Sequence, residues 1–220
     1  MTRAGQEIRE GGGIMGGIPP EIRSLMETCR ASHKDGYSTA RAVRTARGVL
    51  AAGGWAESMP VPVLEIAESF GFKVYTHSSI PGGTDGSVYA GGTTRKLYGT
   101  DRIILVRDSE GHARQRFITA RELGHFLMGY LGSGWEDTPD KVFTTAYLKE
   151  RQKAAVCADR FAEELLMPRG MFGARYLTAM ESLLFDKKYA VPVLAENFGA
   201  SPDSVRKRIA ELSCGWDGAS

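Results

Sequence analysis

Arg121-Glu122-Leu123-Gly124-His125 is the most chemically loaded stretch of the chain. It is a His-Glu-x-x-His pattern whose first His is replaced by Arg. In the intact pattern, imidazoles at i and i+4 stand one above the other on a helix and share one tetrahedral Zn²⁺. The Glu after the first His takes a proton from the metal-bound water. Here Glu122 holds the base position, His125 the second ligand position and Arg121 the first. A guanidinium carries only donors and keeps its proton, so Arg121 cannot ligate zinc. Zinc lowers the pKa of its water from about 15.7 to about 7. At about 1.36 kcal/mol per unit, that is roughly 12 kcal/mol of help in making hydroxide. Glu122 alone cannot supply it, so peptide hydrolysis here requires that a metal still binds.

The stretch needs a rigid carrier. Phe117, Ala120, Leu123, Leu127 and Tyr130 recur at three- and four-residue steps, which predicts an amphipathic helix over 114–130 with one face in the core. A second helix is predicted over 146–167, with Thr144 or Thr145 as cap and Ala154, Cys157, Ala158, Phe161 and Leu165 inward. Asp159 and Glu163 share an adjacent stripe of it with Ala155.

These two segments carry a family resemblance. Arg-Gln-Arg-Phe-Ile-Thr-Ala at 114–120, the degenerate motif and Phe126-Leu127-Met128 resemble the ImmA/IrrE metallopeptidases. So does Ala158-Asp159-Arg160-Phe161-Ala162-Glu163-Glu164-Leu165-Leu166-Met167-Pro168. The resemblance spans about residues 60–212. It implies an α+β, zincin-like domain: a small twisted β-sheet packed on the active-site helix and a second core helix, plus N-terminal helices and a C-terminal helix-turn-helix-like pair. It implies a sheet edge over the cleft, where an extended peptide can add as a strand. It also places the family's third zinc ligand, a Glu, on Ala155. Two of three protein ligands are then missing where the rest of the pattern is best kept.

Two readings of the site follow. In the preferred one, the Arg121 guanidinium fills the space of the missing ion, pairs with Asp159, Glu163 or Glu122, and no cofactor is expected. In the alternative, His125, Glu122 and Asp159, with Glu163 or His112, form a shifted zinc site for an active endopeptidase. Tyr130 and Trp135 are expected near the cleft mouth, where they either hold a partner peptide or pack.

The remaining elements frame this core. Residues 1–18 are glycine-rich and expected to be a disordered tail. Residues 19–59 should form a helical segment with helices over 20–35 and 38–52; Pro20 suits a first turn and Ser38 an N-cap. Arg41, Arg44 and Arg47 stand three apart, as a stripe for DNA phosphates or a dock for acidic groups. The core, 60–185, opens with a helix over 62–70 and strands over 72–77 and 87–90. Residues 91–94 read as a turn and 96–98 as the start of a further strand. The apolar run 102–107 reads as a central strand covered on both faces. A helix is expected over 171–184. Residues 186–220 hold a helical pair of the same domain, with Arg206-Lys207-Arg208 facing either a groove or the protein.

Composition narrows the function class. A net charge of +2 is too small to argue for nucleic acid by itself. Three cysteines, Cys29, Cys157 and Cys214, have no metal-type spacing and suit a reducing cytoplasm. No apolar run reaches membrane length and no signal-peptide core is present. Active ImmA/IrrE proteins cleave helix-turn-helix repressors of mobile elements, prophages or damage responses. The resemblance therefore implies a regulatory protein with a repressor-type protein partner, a weak or absent cut, and DNA binding as a lesser option.

Overall fold

The computed structural model describes residues 6–7, 18–32, 35–80, 83–131, 143–144, 151–182 and 187–213. The glycine-rich tail apart from 6–7, His33, Trp135 and its loop, the segment 145–150 and Cys214 lie outside them.

The chain runs β1 (Gln6–Glu7), α1 (Pro20–Ala31), α2 (Thr39–Ala52), α3 (Val63–Ser69), β2 (Lys73–His77), β3 (Gly86–Ala90), α4 (Gly92–Tyr98), β4 (Arg102–Arg107), α5 (His112–Leu127), β5 (Phe143–Thr144), α6 (Arg151–Leu166), α7 (Arg169–Ser182), α8 (Lys187–Phe198) and α9 (Pro202–Ser213). One sheet has the order β1-β2-β4-β3-β5. β2 and β4 are parallel, with Val74 beside Ile104. β3 is antiparallel to β4, with Val88 beside Ile104, and pairs with β5 at Tyr89 and Ala90.

β4 is central, and its apolar run is covered on both faces. Ile104 and Val106 enter the main core. Ile103 and Leu105 enter a small cluster with Ile80, under Tyr75, Tyr89 and Tyr98. Tyr98 comes from α4, where a turn and a strand start were expected. The chain enters α4 through Gly91 at φ 125° and leaves through left-handed Gly99, whose N–H bonds the Arg95 carbonyl at 2.9 Å. Leu97 stays exposed, so the short apolar alternation at 96–98 was never a buried strand face.

α5 differs from the one-sided helix that its spacing predicts. From Ile118 to Met128 only Arg121 is not buried. The sheet, α3, α2 and α6 surround it, so polar positions are enclosed as well as apolar ones. It ends at Leu127, before Tyr130, because Gly129 turns at φ 78°. α6 crosses α5 at Gly124, where an added Cβ would lie 2.7 Å from Phe161 Cδ1. Thr144 lies in β5, and Thr145, the other candidate cap of α6, lies outside the described residues.

The N-terminal helices follow their sequence signals. Ser38 Oγ accepts the Arg41 backbone N–H at 3.2 Å and caps α2. The arginine stripe does not face a phosphate backbone as a unit. Arg41 is buried and donates to the carbonyls of Gly36 (2.7 Å) and Met128 (3.2 Å), while Arg47 Nε donates to Glu164 at 2.9 Å.

α7, α8 and α9 build a second apolar cluster from Phe172, Leu194, Phe198, Val205 and Ile209. α9 is bolted to α6. Arg208, almost fully buried, donates to the Met167 carbonyl at 2.8 Å and to Glu164, also buried. Lys207 pairs with Glu163, and Arg206 with its own-helix Asp203 at 2.5 Å. Of the three basic residues that could have met a groove, Arg208 turns inward, and Lys207 and Arg206 stay exposed, each paired with an acid. Among the described residues, no helix is long and apolar enough to cross a membrane.

Two outcomes follow. Gly124→Ala forces α5 and α6 apart and should cost about 1–3 kcal/mol in urea unfolding, as overpacked cores do. Glu211 is held below the ordinary carboxylate range: burial pushes its pKa up, but hydrogen bonds and charge from Arg160 and Arg208 outweigh this. Such a group stabilises the fold above its unfolded pKa and loses that contribution as pH falls through the folded value. Glu211→Gln should therefore be less stable than the parent at pH 7, and the gap should close as pH drops below about 4.3.

Candidate functional site

Glu122 and His125 project from the middle of α5 into the interior, with Arg121 beside them. Glu122 is 2% and His125 6% exposed, so water is largely excluded from both. The strand β3 starts directly over this place. Gly86 presses so closely on α5 that a Cβ there would meet Ile118 Cγ2 at 2.1 Å and Glu122 Oε1 at 3.4 Å.

Arg121 does not point to open solvent. Its Nε and Nη2 each donate to Glu122 Oε1 at 3.1 Å. Nη2 also donates to Asp85 Oδ1 at 2.5 Å, and Arg114, two turns earlier on α5, pairs with the other Asp85 oxygen. Burial alone would weaken the hold of Arg121 on its proton, but Glu122 and Asp85 outweigh that and push its pKa further up. It is a fixed cation. Asp85 is held below the ordinary carboxylate range: burial opposes this, and bonds and charge from Arg121 and Arg114 overcome it. The turn before β3 has a third clamp, since Arg107 donates to the Thr84 carbonyl at 2.6 Å.

Of the three partners expected for Arg121, Glu122 is bonded to it, and Asp159 and Glu163 are not. Glu163 is spent on Arg160 at 3.0 Å and on Lys207. Asp159 feels Arg121 only through space. Asp85 is the partner that sequence reasoning missed. Its one signal was an acid set between Thr84 and Gly86 just before a strand, and only the sheet order brings that turn over the motif.

His125 is neutral. Burial, and then the charge of Arg121, pushes its pKa down to about 3. Its Nδ1 is buried without a hydrogen-bond partner among the described residues. Asp159 Oδ1 is in the same condition, and burial raises the Asp159 pKa against the opposing charge of Arg121. Tyr130 is not at a cleft mouth. It is 6% exposed, its ring lies 5.9 Å from His125 and 5.0 Å from Tyr37, and Arg41 covers it at 5.9 Å. It packs behind the imidazole. His112 opens α5 exposed, thirteen residues before His125, or about 20 Å along the axis at 1.5 Å per residue, too far to join a shifted site.

Among the described residues, the donors present do not fit a tetrahedral zinc site. The first ligand position offers N–H groups only, Ala155 offers a methyl, and no group of three or more His, Cys, Asp or Glu among the described residues could hold a metal ion. What the arrangement can do is electrostatic: one guanidinium ties the base position of α5 to the start of β3.

Comparison with known proteins adds to this geometry. The family model described as Peptidase_M78, IrrE N-terminal-like domain, matches residues 67–210. No curated protein matches. Among solved structures, a chain described as a Mycobacterium tuberculosis transcriptional regulator is similar, with 18% identity and a TM-score of 0.44. The alignment covers 84% of this chain and 52% of that one, so this chain spans about half the length of that relative.

A double-mutant cycle tests the clamp. Arg121→Gln and Asp85→Asn should each destabilise, and their coupling should be about 1–3 kcal/mol by urea unfolding. Additive losses would mean that the pair is not formed in solution.

Proposed function

This chain belongs to the IrrE N-terminal-like family, and from that premise we propose that it is a regulatory protein that binds a protein partner without cutting it. The partner is a helix-turn-helix repressor or a similar factor of a mobile element or stress response. The chain acts on it as an anti-repressor, a co-regulator or an antagonist of an active relative. The observation that carries this reading is the Arg121 guanidinium, bonded to Glu122 and Asp85 where the family pattern has a metal-binding imidazole.

The chemistry is direct. A general base must have a free lone pair facing the water that it deprotonates. Glu122 Oε1 already accepts two bonds from Arg121. A permanent cation next to His125 repels a dication, and the imidazole is left with no second protein ligand on its helix. The same cation holds helix and strand together across the cleft, as a metal bound between elements would. The fold that displays a binding surface is kept while the activated water is lost.

The second reading, an active zinc endopeptidase using His125, Glu122 and Asp159, has one observation in its favour. Buried His125 Nδ1 and Asp159 Oδ1 both lack partners among the described residues, as ligands without their ion would.

Restoring the pattern separates the two. Arg121→His with Ala155→Glu should gain about one zinc per chain, measured by mass spectrometry, and lose it again on adding His125→Ala. A purified repressor encoded beside the gene should bind the parent chain without being cleaved. A double variant that stays metal-free, or a parent that cleaves the repressor, contradicts the proposal.

A further inference from the structure

A groove of about 550 Å³ opens between the start of α2, the middle of α6 and one side of α9. Val156, 54% exposed, and Ala210 supply apolar wall, and Thr39 also lines it.

The groove also holds five charged side chains, and four are committed. Arg160 donates to Glu163 at 3.0 Å and to Glu211 at 2.8 Å. Lys207 pairs with Glu163, and Glu211 accepts Arg208 at 2.9 Å. Asp159 is the exception. Its carboxylate receives no hydrogen bond from any described residue, and Oδ1 is buried in that state. Arg121 lies near enough to act on it by charge but spends its N–H groups on Glu122 and Asp85. Leaving a buried acceptor unpaired is costly, and native folds rarely do so without a purpose. Of the three carboxylates that line the groove, Glu163 and Glu211 are paired with cations and Asp159 is not.

We propose that this groove takes one basic side chain, arginine or lysine, of the partner polypeptide, with its aliphatic stem along Val156 and Ala210 and its cationic head on the Asp159 carboxylate. Long basic side chains suit such a place because the stem is apolar and only the tip needs a partner. The guanidinium fork matches a carboxylate best, so arginine should exceed lysine. A metal ion is a poorer occupant, because the neighbouring carboxylates are already spent on cations. The inference rests on the reading that the chain binds a polypeptide, and not on whether the peptide is cut.

The test uses the full chain, labelled with ¹⁵N, in EDTA. The probes are acetyl-Ala-X-Ala-amide tripeptides with X as Arg, Lys, norleucine or Glu. The Arg and Lys peptides should give saturable shifts centred on Val156, Asp159 and Ala210, at least tenfold tighter than norleucine. Asp159→Asn should reduce the Arg peptide to the norleucine level. Glu65→Gln, an exposed acid on α3, should change nothing. Val156→Arg fills the groove from an exposed position and should abolish the Arg shifts in a folded chain. Equal affinity for Arg and norleucine, an unaffected Asp159→Asn, or shifts scattered over surface acids would overturn the proposal. A chain that carried zinc before chelation and still selected arginine in EDTA would support this inference while overturning the earlier reading. A zinc-free chain blind to the side chain would do the reverse.

Discussion

One half-buried cation organises the centre of this molecule. Arg121 stands on a helix enclosed by the sheet and by α2, α3 and α6, where an unpaired guanidinium would be costly. Two carboxylates meet that need, Glu122 on the same helix and Asp85 on the turn before β3. The result is a link between the helix that carries the motif and the strand above it. The neutral state of His125 follows from the same arrangement, since burial and then the nearby guanidinium both disfavour a second positive charge.

The same device recurs on the far side of α6. Arg208 and Glu164 are each 2% exposed in their side chains, and Arg47 from α2 adds a further bond to Glu164. One carboxylate on a core helix thus gathers an arginine from each end of the chain. Buried pairs of this kind contribute little net stability against an apolar replacement, but breaking one partner is expensive. Their effect is geometric: they set how α2 and α9 sit on α6. These bonds hold α9 against α6 and commit Arg208 to the protein itself.

Much of this was readable beforehand. β4 was found to the residue, because six apolar and flanking basic positions allow only one register. The paired helices α5 and α6 were found from spacing, and the family from motif residues that the match over 67–210 agrees with. The errors have physical causes. α4 was missed because Gly99, and not the residues within it, makes the helix end where it does. The burial of α5 on all sides was missed because periodicity reports only which residues are apolar, whereas Glu122 and His125 are buried by what surrounds them. Asp85 was missed because it lies 36 residues from Arg121 and meets it only through the sheet order. The distinction between an exposed and a docked arginine stripe likewise needed Glu164, far along the chain.

The central claim is that a side-chain cation occupies the place of a metal. Its most direct measurement is the zinc content of the purified parent chain, grown in zinc-supplemented medium without chelators and read by inductively coupled plasma mass spectrometry. The account predicts far less than one zinc per chain, unchanged by His125→Ala. One zinc per chain, lost in that variant, would contradict it.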